Sequence, residues 1–326
     1  MTCASSSNEL RAGGGGDPLV SVVIPHYNRA TRLLKTLDTV KTQTFSDWEI
    51  IIVDDASTDD LSTTILPELA DKRIRLVVLE KNAGPAAARN AGIARARGRF
   101  VAFLDSDDLW SDGKLEAQVK AILTSGQPDR VICTTQILKL GPGDLRELAP
   151  LRPVAAGEGF GQYMFVNGGL TQTSSVMLGT EAAREIGFDA KLRQFEDYLF
   201  FLKAGAHGLQ HILVAEPLVT WFNDNRINRL SRGAHNNVDN LRRFLAETRD
   251  MLDDRTRLSF LTRHAGRVYV RDTPIRGLYD LARSASQRLI SWRFAASIAA
   301  NALAPISWMT RFRDFRGVER PQADGS

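Results

Sequence analysis

The sequence is poor in cysteine and in net charge. Its 326 residues include only two cysteines, and 42 basic side chains exceed 38 acidic ones by four. Two cysteines cannot form a disulfide framework or a four-thiolate zinc site, so we expect a reducing compartment. A net charge of +4 does not by itself indicate nucleic-acid binding, and we predict no nucleic-acid partner.

Long apolar runs are also missing. The first eighteen residues contain no run of signal-peptide length, so we expect no export and a cytoplasmic protein. The apolar section from Phe294 to Met309 is sixteen residues long and is interrupted by Ser297, Asn301 and Pro305, which makes it short and polar for a membrane span. Hydrophobic residues at 43% and charged residues at 25% instead indicate a globular protein with a sizeable core.

Apolar, β-branched runs alternate with helical patterns in the first hundred residues. Buried strands are predicted at Val20–Pro25, Trp48–Val53, Ile74–Leu79 and Phe100–Leu104. This alternation predicts an α/β fold with a mostly parallel, twisted sheet flanked by helices. We expect a disordered tail over 1–18, an α/β domain over 19–225, and a helical, arginine-rich extension over 226–326.

Carboxylates directly follow two of these predicted strands. Asp54 and Asp55 come after the second strand, and Asp105 and Asp107 come after the fourth. Ligands of such sheets bind beyond the carboxyl ends of the strands. Carboxylates spaced i, i+2 can hold a divalent cation, and acids after the second strand can accept hydrogen bonds from a ribose or a base. Both groups could equally cap the helix that follows, so these alternatives stay open.

Four stretches together resemble the family 2 glycosyltransferases of the GT-A fold. They are VSVVIPHYNR (20–29), EIIIVDDASTDD (49–60), NAGPAAARNAGIARARGRFVAFLDSDD (82–108) and GFDAKLRQFEDYLFFLKAGAHG (187–208). The resemblance implies a Rossmann-like GT-A sheet and an inverting transfer from a nucleotide-sugar donor, with Mg²⁺ or Mn²⁺ as cofactor. It implies a glycan or lipid-linked acceptor in cell-surface polysaccharide or glycolipid synthesis. UDP is the expected nucleotide, with GDP and dTDP left open.

The same resemblance assigns residues to the donor site by their positions in these stretches. It implies that Pro25 and Tyr27 line the nucleotide pocket. It also implies that Asp54 and Asp55 hold the base or the ribose, and that Arg89 lies near the donor phosphates.

The resemblance likewise assigns the metal site and the base. Asp105 and Asp107 match the D-x-D motif that holds the metal, with Asp105 also at the donor. Asp197 matches the catalytic base, and an inverting transfer needs one carboxylate to take the proton of the acceptor hydroxyl. Asp197 could instead cap a helix or pair with a surface cation, and Glu196 is left as a supporting group or an acceptor contact.

Two other functions are consistent with an α/β sheet of this kind. A nucleotidyltransferase is disfavoured because HYNRAT, after the first strand, is not a glycine-rich basic loop. A non-catalytic protein that binds nucleotide sugars is disfavoured because it has no need of the carboxylate at Asp197. The Q-x-x-R-W motif of processive relatives is absent after Asp197, which favours a single addition.

The C-terminal region concentrates the basic charge. From Met251 onward there are thirteen arginines, no lysine and seven acids. Residues 281–317, with Trp292 and Trp308 near the ends of the apolar section, are typical of an interfacial segment on the anionic inner face of the plasma membrane. A helix that packs on the catalytic body with solvated arginines is the alternative, and both stay open.

Leu213–Phe222 is predicted to be extended at an edge of the sheet, and the loop after it, Asn223–Ser231, contains further candidates. Relatives in the resembled family often carry an arginine-containing loop over the diphosphate at this point, so the resemblance makes Arg226 or Arg229 a candidate contact. His235 could contact a metal or a phosphate. Each could equally be a solvated surface residue.

Overall fold

One mixed sheet organises the chain in the computed structural model, which describes residues 16–141, 145–222 and 238–303. The strands are β1 (Val20–His26), β2 (Trp48–Asp54), β3 (Ile74–Val78), β4 (Phe100–Phe103), β5 (Leu109–Trp110), β6 (Val131–Leu140), β7 (Arg146–Ala149), β8 (Met177–Gly179) and β9 (Gln210–Phe222).

Helices follow most strands and also form the C-terminal region. They are α1 (Ala30–Lys41), α2 (Leu61–Thr64), α3 (Pro85–Arg95), α4 (Lys114–Thr124), α5 (Thr180–Ile186), α6 (Glu196–Ala206), α7 (Val238–Glu247), α8 (Asp254–Arg263), α9 (Gly266–Asp272), α10 (Pro274–Ser286) and α11 (Trp292–Leu303). Short 3₁₀ turns lie at Glu68–Ala70, Pro128–Arg130 and Thr173–Ser175, and a π-turn lies at Gln162–Val166.

The strand order is β3-β2-β1-β4-β8-β6-β9-β5, with β7 paired to β6. The first four strands of this order are parallel, because α1 and α3 carry the chain back across the sheet between them. The next strand, β8, runs antiparallel to both β4 and β6. The α/β fold is therefore confirmed. The parallel strands β1 to β4 are the four predicted from the sequence, and β6 and β9 also pair parallel.

The central strands β1, β2 and β4 are buried on both faces, as their continuous apolar runs predict. Alternate residues of one strand point to opposite faces. In β1, Val23 packs in one core cluster, whereas Val22 and Ile24 pack in the other. The edge formed by the carboxyl ends of β1, β2 and β4 is left for polar side chains.

The described part of the C-terminal region, residues 238–303, is helical, and α7 and α8 join the main core. Phe244 and Phe260 are fully buried in the cluster that also contains Phe103 of β4. Helices α10 and α11 form a separate small cluster around Leu281 and Ile298. The predicted domain boundary at 225/226 and most of the predicted N-terminal tail lie outside the described residues. None of the described helices has the length and apolar character needed to cross a bilayer.

Candidate active site

A cleft of about 820 Å³ opens at the carboxyl ends of β1, β2 and β4. It brings together seven of the eight side chains predicted for the site. These are Pro25, Tyr27, Asp55, Arg89, Asp105, Asp107 and Asp197. The eighth, Asp54, is buried at the end of β2 and does not line the cleft.

Asp54 and Asp55 both accept hydrogen bonds from the loops that shape the cleft. The carboxylate of Asp55 accepts hydrogen bonds from the N–H groups of Ala83 (2.7 Å) and Gly84 (2.8 Å). Asp54 accepts bonds from the backbone and the hydroxyl of Ser57. Because each carboxylate oxygen has a second lone pair, Asp55 can still accept a bond from a ligand in the cleft, whereas Asp54 stabilises the turn below it.

The two acids of the D-x-D motif each contact arginine. Asp105 accepts a hydrogen bond from Arg89 Nη2 at 2.7 Å. Asp107 accepts one from Arg29 Nη1 at 2.8 Å, and Arg32 Nη1 lies 3.8 Å away. Within the described residues, no group of three or more His, Cys, Asp or Glu side chains is arranged to hold a metal ion. A cation here would need ligands from outside the protein in addition to these two carboxylates.

Asp108, the next residue, has a structural role that the sequence did not reveal. Its Oδ2 accepts hydrogen bonds from Ser174 Oγ (2.6 Å) and Gln172 Nε2 (2.7 Å). Burial, together with the charges of Asp105 and Asp107, raises the pKa of Asp108 well above its usual value. Ser174 Oγ also accepts a hydrogen bond from the backbone N–H of Asp105. Together, these hydrogen bonds hold the D-x-D loop against the turn at Thr173–Ser175.

Arg89 links the D-x-D motif to helix α6. This buried side chain contacts Asp105 through Nη2 and Glu196 through Nη1, the latter at 3.5 Å. Burial by itself would lower its pKa, but the charges of Asp105 and Glu196 outweigh this and raise the pKa of Arg89. Arg89 is thus held as a cation between the two acidic sides of the cleft.

Asp197 lies in the first turn of α6 and lines the cleft. Its Oδ1 accepts a hydrogen bond from the N–H of Tyr198 at 2.8 Å. Burial raises the pKa of Asp197 to about 7, and the charge of Glu196 adds to the rise. A carboxylate with a pKa near neutrality, partly exposed to a cleft, can accept a proton from a bound hydroxyl.

The start of α6 is held by aromatic side chains from the C-terminal helices. Phe195, just before α6, has the left-handed φ of 68°, which is costly for a residue with a side chain. Its ring centroid lies 5.5 Å from that of Phe244 and 5.2 Å from that of Phe260. The hydroxyl of Tyr198 lies 3.3 Å from His264 Nδ1. These contacts position the backbone that carries Asp197.

The cleft also contains residues that the sequence analysis did not assign. Arg193 donates hydrogen bonds to the side-chain oxygen of Asn82 (3.2 Å) and to its carbonyl oxygen (3.5 Å). His26, for which burial lowers the pKa, accepts a bond from the N–H of Arg29. The sequence signal for Arg193 is its position in 187–208, the last of the four stretches that carry the resemblance. Arg226, Arg229 and His235 lie outside the described residues.

Sequence comparison finds relatives among glycosyltransferases. The profile of Glycosyl transferase family 2 matches residues 21–147. The amylovoran biosynthesis glycosyltransferase AmsB of Erwinia amylovora is 36% identical over 206 residues, which are 62% of this chain and 68% of that protein. The UDP-Glc:alpha-D-GlcNAc-diphosphoundecaprenol beta-1,3-glucosyltransferase WfgD of Escherichia coli is 42% identical over 107 residues, 33% of this chain and 42% of that protein.

Structural comparison finds the same architecture in two solved complexes. S. aureus TarS 1-349 with UDP-GlcNAc has a TM-score of 0.56 and 17% identity, covering 91% of each chain. The mannosyltransferase PcManGT from Pyrobaculum calidifontis with GDP-Man and Mn²⁺ has a TM-score of 0.51 and 16% identity, covering 95% of this chain and 88% of that one. At these identities the likeness concerns the fold alone.

Proposed function

Because this chain belongs to glycosyl transferase family 2 and has the GT-A fold, we propose that it catalyses an inverting transfer of one sugar from a nucleotide-sugar donor to an acceptor hydroxyl. Family membership establishes a glycosyltransferase of the kind used in bacterial polysaccharide biosynthesis. The inverting course, the base and the cation are our proposal. The observation that carries it is the single cleft holding Asp105, Asp107, Arg89 and Asp197.

Asp197 is proposed as the base. The acceptor oxygen attacks the anomeric carbon, the bond from that carbon to the diphosphate oxygen breaks, and Asp197 takes the proton of the acceptor hydroxyl. The pKa of about 7 supports this role, because such a group is ionised in a large fraction of molecules near neutrality and still has appreciable affinity for the proton. The charge of Glu196 helps to keep the pKa of Asp197 high. Arg89 contacts both Glu196 and Asp105.

Asp105 and Asp107 are proposed to hold a divalent cation, Mg²⁺ or Mn²⁺. Both offer hard oxygen ligands at the cleft wall, and the donor diphosphate can complete the set, which fits a protein site with only two carboxylates. The Mn²⁺ in the PcManGT complex supports this choice. A bound cation would neutralise charge on the leaving diphosphate. Arg29, Arg32 and Arg89, which contact the two carboxylates, would keep positive charge beside it.

A UDP-sugar is the proposed donor, with Pro25, Tyr27 and Asp55 at the nucleoside. The names of WfgD and of the TarS complex, which both include a UDP-sugar, support UDP. The acceptor is proposed to be a glycan or a lipid-linked sugar, since WfgD is named for a diphosphoundecaprenol acceptor. A cytoplasmic location is also part of this proposal.

The test separates donor binding from transfer. Asp197→Asn should lower transfer by at least about a hundredfold, the usual contribution of a general base, while UDP with Mn²⁺ still stabilises the protein in a thermal shift assay. Asp254→Asn is the matched control, because Asp254 is exposed in the first turn of α8 and lies outside the cleft. Unchanged turnover by Asp197→Asn would remove Asp197 as the base.

The donor is identified by the same assay on the unaltered protein. UDP-, GDP- and dTDP-sugars are compared with and without Mn²⁺, and a hundredfold excess over the dissociation constant should add about 2.7 kcal/mol of stability. A Mn²⁺-dependent shift with a UDP-sugar is expected. A shift with another nucleotide alone would contradict the proposed donor, and equal shifts without Mn²⁺ would contradict the cation.

A further inference from the structure

Large apolar side chains are exposed on the last two described helices. Eleven such side chains are exposed in the described residues, and five of them lie in α10 and at the start of α11. They are Ile275 (89% exposed), Leu278 (38%), Tyr279 (67%), Trp292 (62%) and Phe294 (40%). Concentrated apolar exposure of this kind marks a surface that contacts something else.

The three exposed side chains of α10 lie on one side of that helix. Ile275, Leu278 and Tyr279 follow the i, i+3, i+4 spacing of one helix face. The opposite face, with Leu281 and Ala285, is buried in the small cluster shared with α11. The exposed residues are therefore not needed to fill that cluster.

Basic side chains outnumber acidic ones on this part of the chain. Between residues 273 and 303 the sequence contains four arginines and a single acid, Asp280. Asp280 is buried, accepts a hydrogen bond from the Tyr269 hydroxyl at 2.5 Å, and lies 3.8 Å from Arg276. Arg283 and Arg293 are exposed beside the apolar residues. An apolar strip flanked by cations fits an anionic lipid surface, where Tyr and Trp rings also favour the headgroup region.

We propose that the outer face of α10, formed by Ile275, Leu278 and Tyr279, lies on an anionic lipid bilayer together with the exposed side chains at the start of α11. The arginines then contact lipid phosphates while the apolar side chains enter the interfacial layer. The inference rests on the proposed function in one respect: a lipid-linked acceptor would be presented at such a surface.

Of the predicted interfacial segment 281–317, the structure describes 281–303, whereas 304–317 with Trp308 lies outside the described residues. In α11, Ala295, Ile298 and Ala302 are buried against the neighbouring helices, so this part of the apolar section packs on the protein. The lipid contact is assigned instead mainly to α10 and to the first residues of α11.

The experiment measures sedimentation of the full chain with vesicles, without donor or acceptor. Binding to phosphatidylcholine vesicles containing phosphatidylglycerol is expected, with little binding to phosphatidylcholine alone and a decrease as salt is added. The double variant Arg283→Gln/Arg293→Gln should bind about 25-fold more weakly, from about fivefold for each arginine near an anionic surface. The double variant Ile275→Ser/Tyr279→Ser should bind at least about tenfold more weakly.

The matched control is Leu66→Ser/Leu151→Ser, which removes two apolar side chains exposed to 66% and 80% elsewhere on the surface. It should bind vesicles like the unaltered protein. Absence of binding to phosphatidylglycerol vesicles, or an equal loss in the control, would overturn the proposal. So would a dimer in light scattering that Ile275→Ser/Tyr279→Ser dissociates, because the face would then serve self-association.

The two proposals fail separately. Sugar transfer to a soluble acceptor by a protein that does not bind vesicles would refute only the lipid contact. Vesicle binding by a protein that transfers no sugar would refute only the proposed function.

Discussion

The pKa of Asp197 leads to a quantitative prediction for the pH dependence of the reaction. With a pKa of about 7, the ionised fraction is about one tenth at pH 6 and about nine tenths at pH 8. If only the ionised form acts as the base, kcat/KM should rise about tenfold over this interval. An aspartate with the ordinary pKa of 3.8 would be ionised at both values, and the profile would be flat.

Replacing Glu196 by glutamine tests the cause of the shift. Burial is the main cause and remains, but the second, the negative charge of Glu196, is removed. The pKa of Asp197 should therefore fall, and the rise in kcat/KM should move to lower pH. Glu181→Gln is the matched control, because Glu181 is an exposed acid in the first turn of α5.

The assay follows nucleotide release at sub-saturating donor, and each variant is judged by its own ratio of kcat/KM at pH 8 to that at pH 6. This ratio should be about ten for the unaltered protein, smaller for Glu196→Gln and unchanged for Glu181→Gln. A flat profile in the unaltered protein, or a shift of Glu196→Gln to higher pH, would refute the reasoning.

Two further predictions concern stability. Lys114 is fully buried and donates to Gln118 Oε1, and burial lowers its pKa from 10.5 to about 7, so its protonation weakens the fold as pH falls through this range. The free energy of unfolding measured in urea should therefore be about 2 kcal/mol larger at pH 9 than at pH 7. Lys114→Met should remove that difference. Gly84→Ala should cost about 1–3 kcal/mol, because φ is +90° and a Cβ would lie 2.7 Å from Arg193 Nη1; Gly113→Ala, with a φ of −87° and open space, should cost less than 1 kcal/mol.

For these stability predictions, a pH-independent difference between Lys114→Met and the unaltered protein would show that the buried amine is not the titrating group. Equal costs for the two glycine variants would show that the backbone at residue 84 is not strained by a side chain.

The parallel strands β1 to β4 could be predicted because each of them is a largely apolar run within the local sequence. The runs around Val22, Ile51 and Val101 are buried on both faces, and continuous apolar character is what such strands require. The position of Asp55 and Asp105 at one edge follows from strand direction alone. The antiparallel strand β8 was harder to place, since its three residues carry little pattern.

The contacts that tune the site could not be predicted because they join distant parts of the chain. Arg29 reaches Asp107 across 78 residues, and Asp108 reaches Ser174 across 66. Nothing in the sequence around Phe244 and Phe260 indicates that they pack beneath the first turn of α6. Such pairings depend on the completed core and not on local periodicity.

Arg89 makes the two sides of the cleft thermodynamically dependent on each other. It contacts Asp105 on the side of the proposed donor site and Glu196 next to the proposed base, and the charge of Asp105 also raises the pKa of Asp197. Positive charge bound at Asp105 must therefore favour the ionised form of Asp197. Because linkage is reciprocal, ionisation of Asp197 must strengthen cation binding by the same factor. Cation binding at Asp105 and ionisation of the proposed base are thus linked equilibria, and proton release is expected to accompany cation binding near neutral pH.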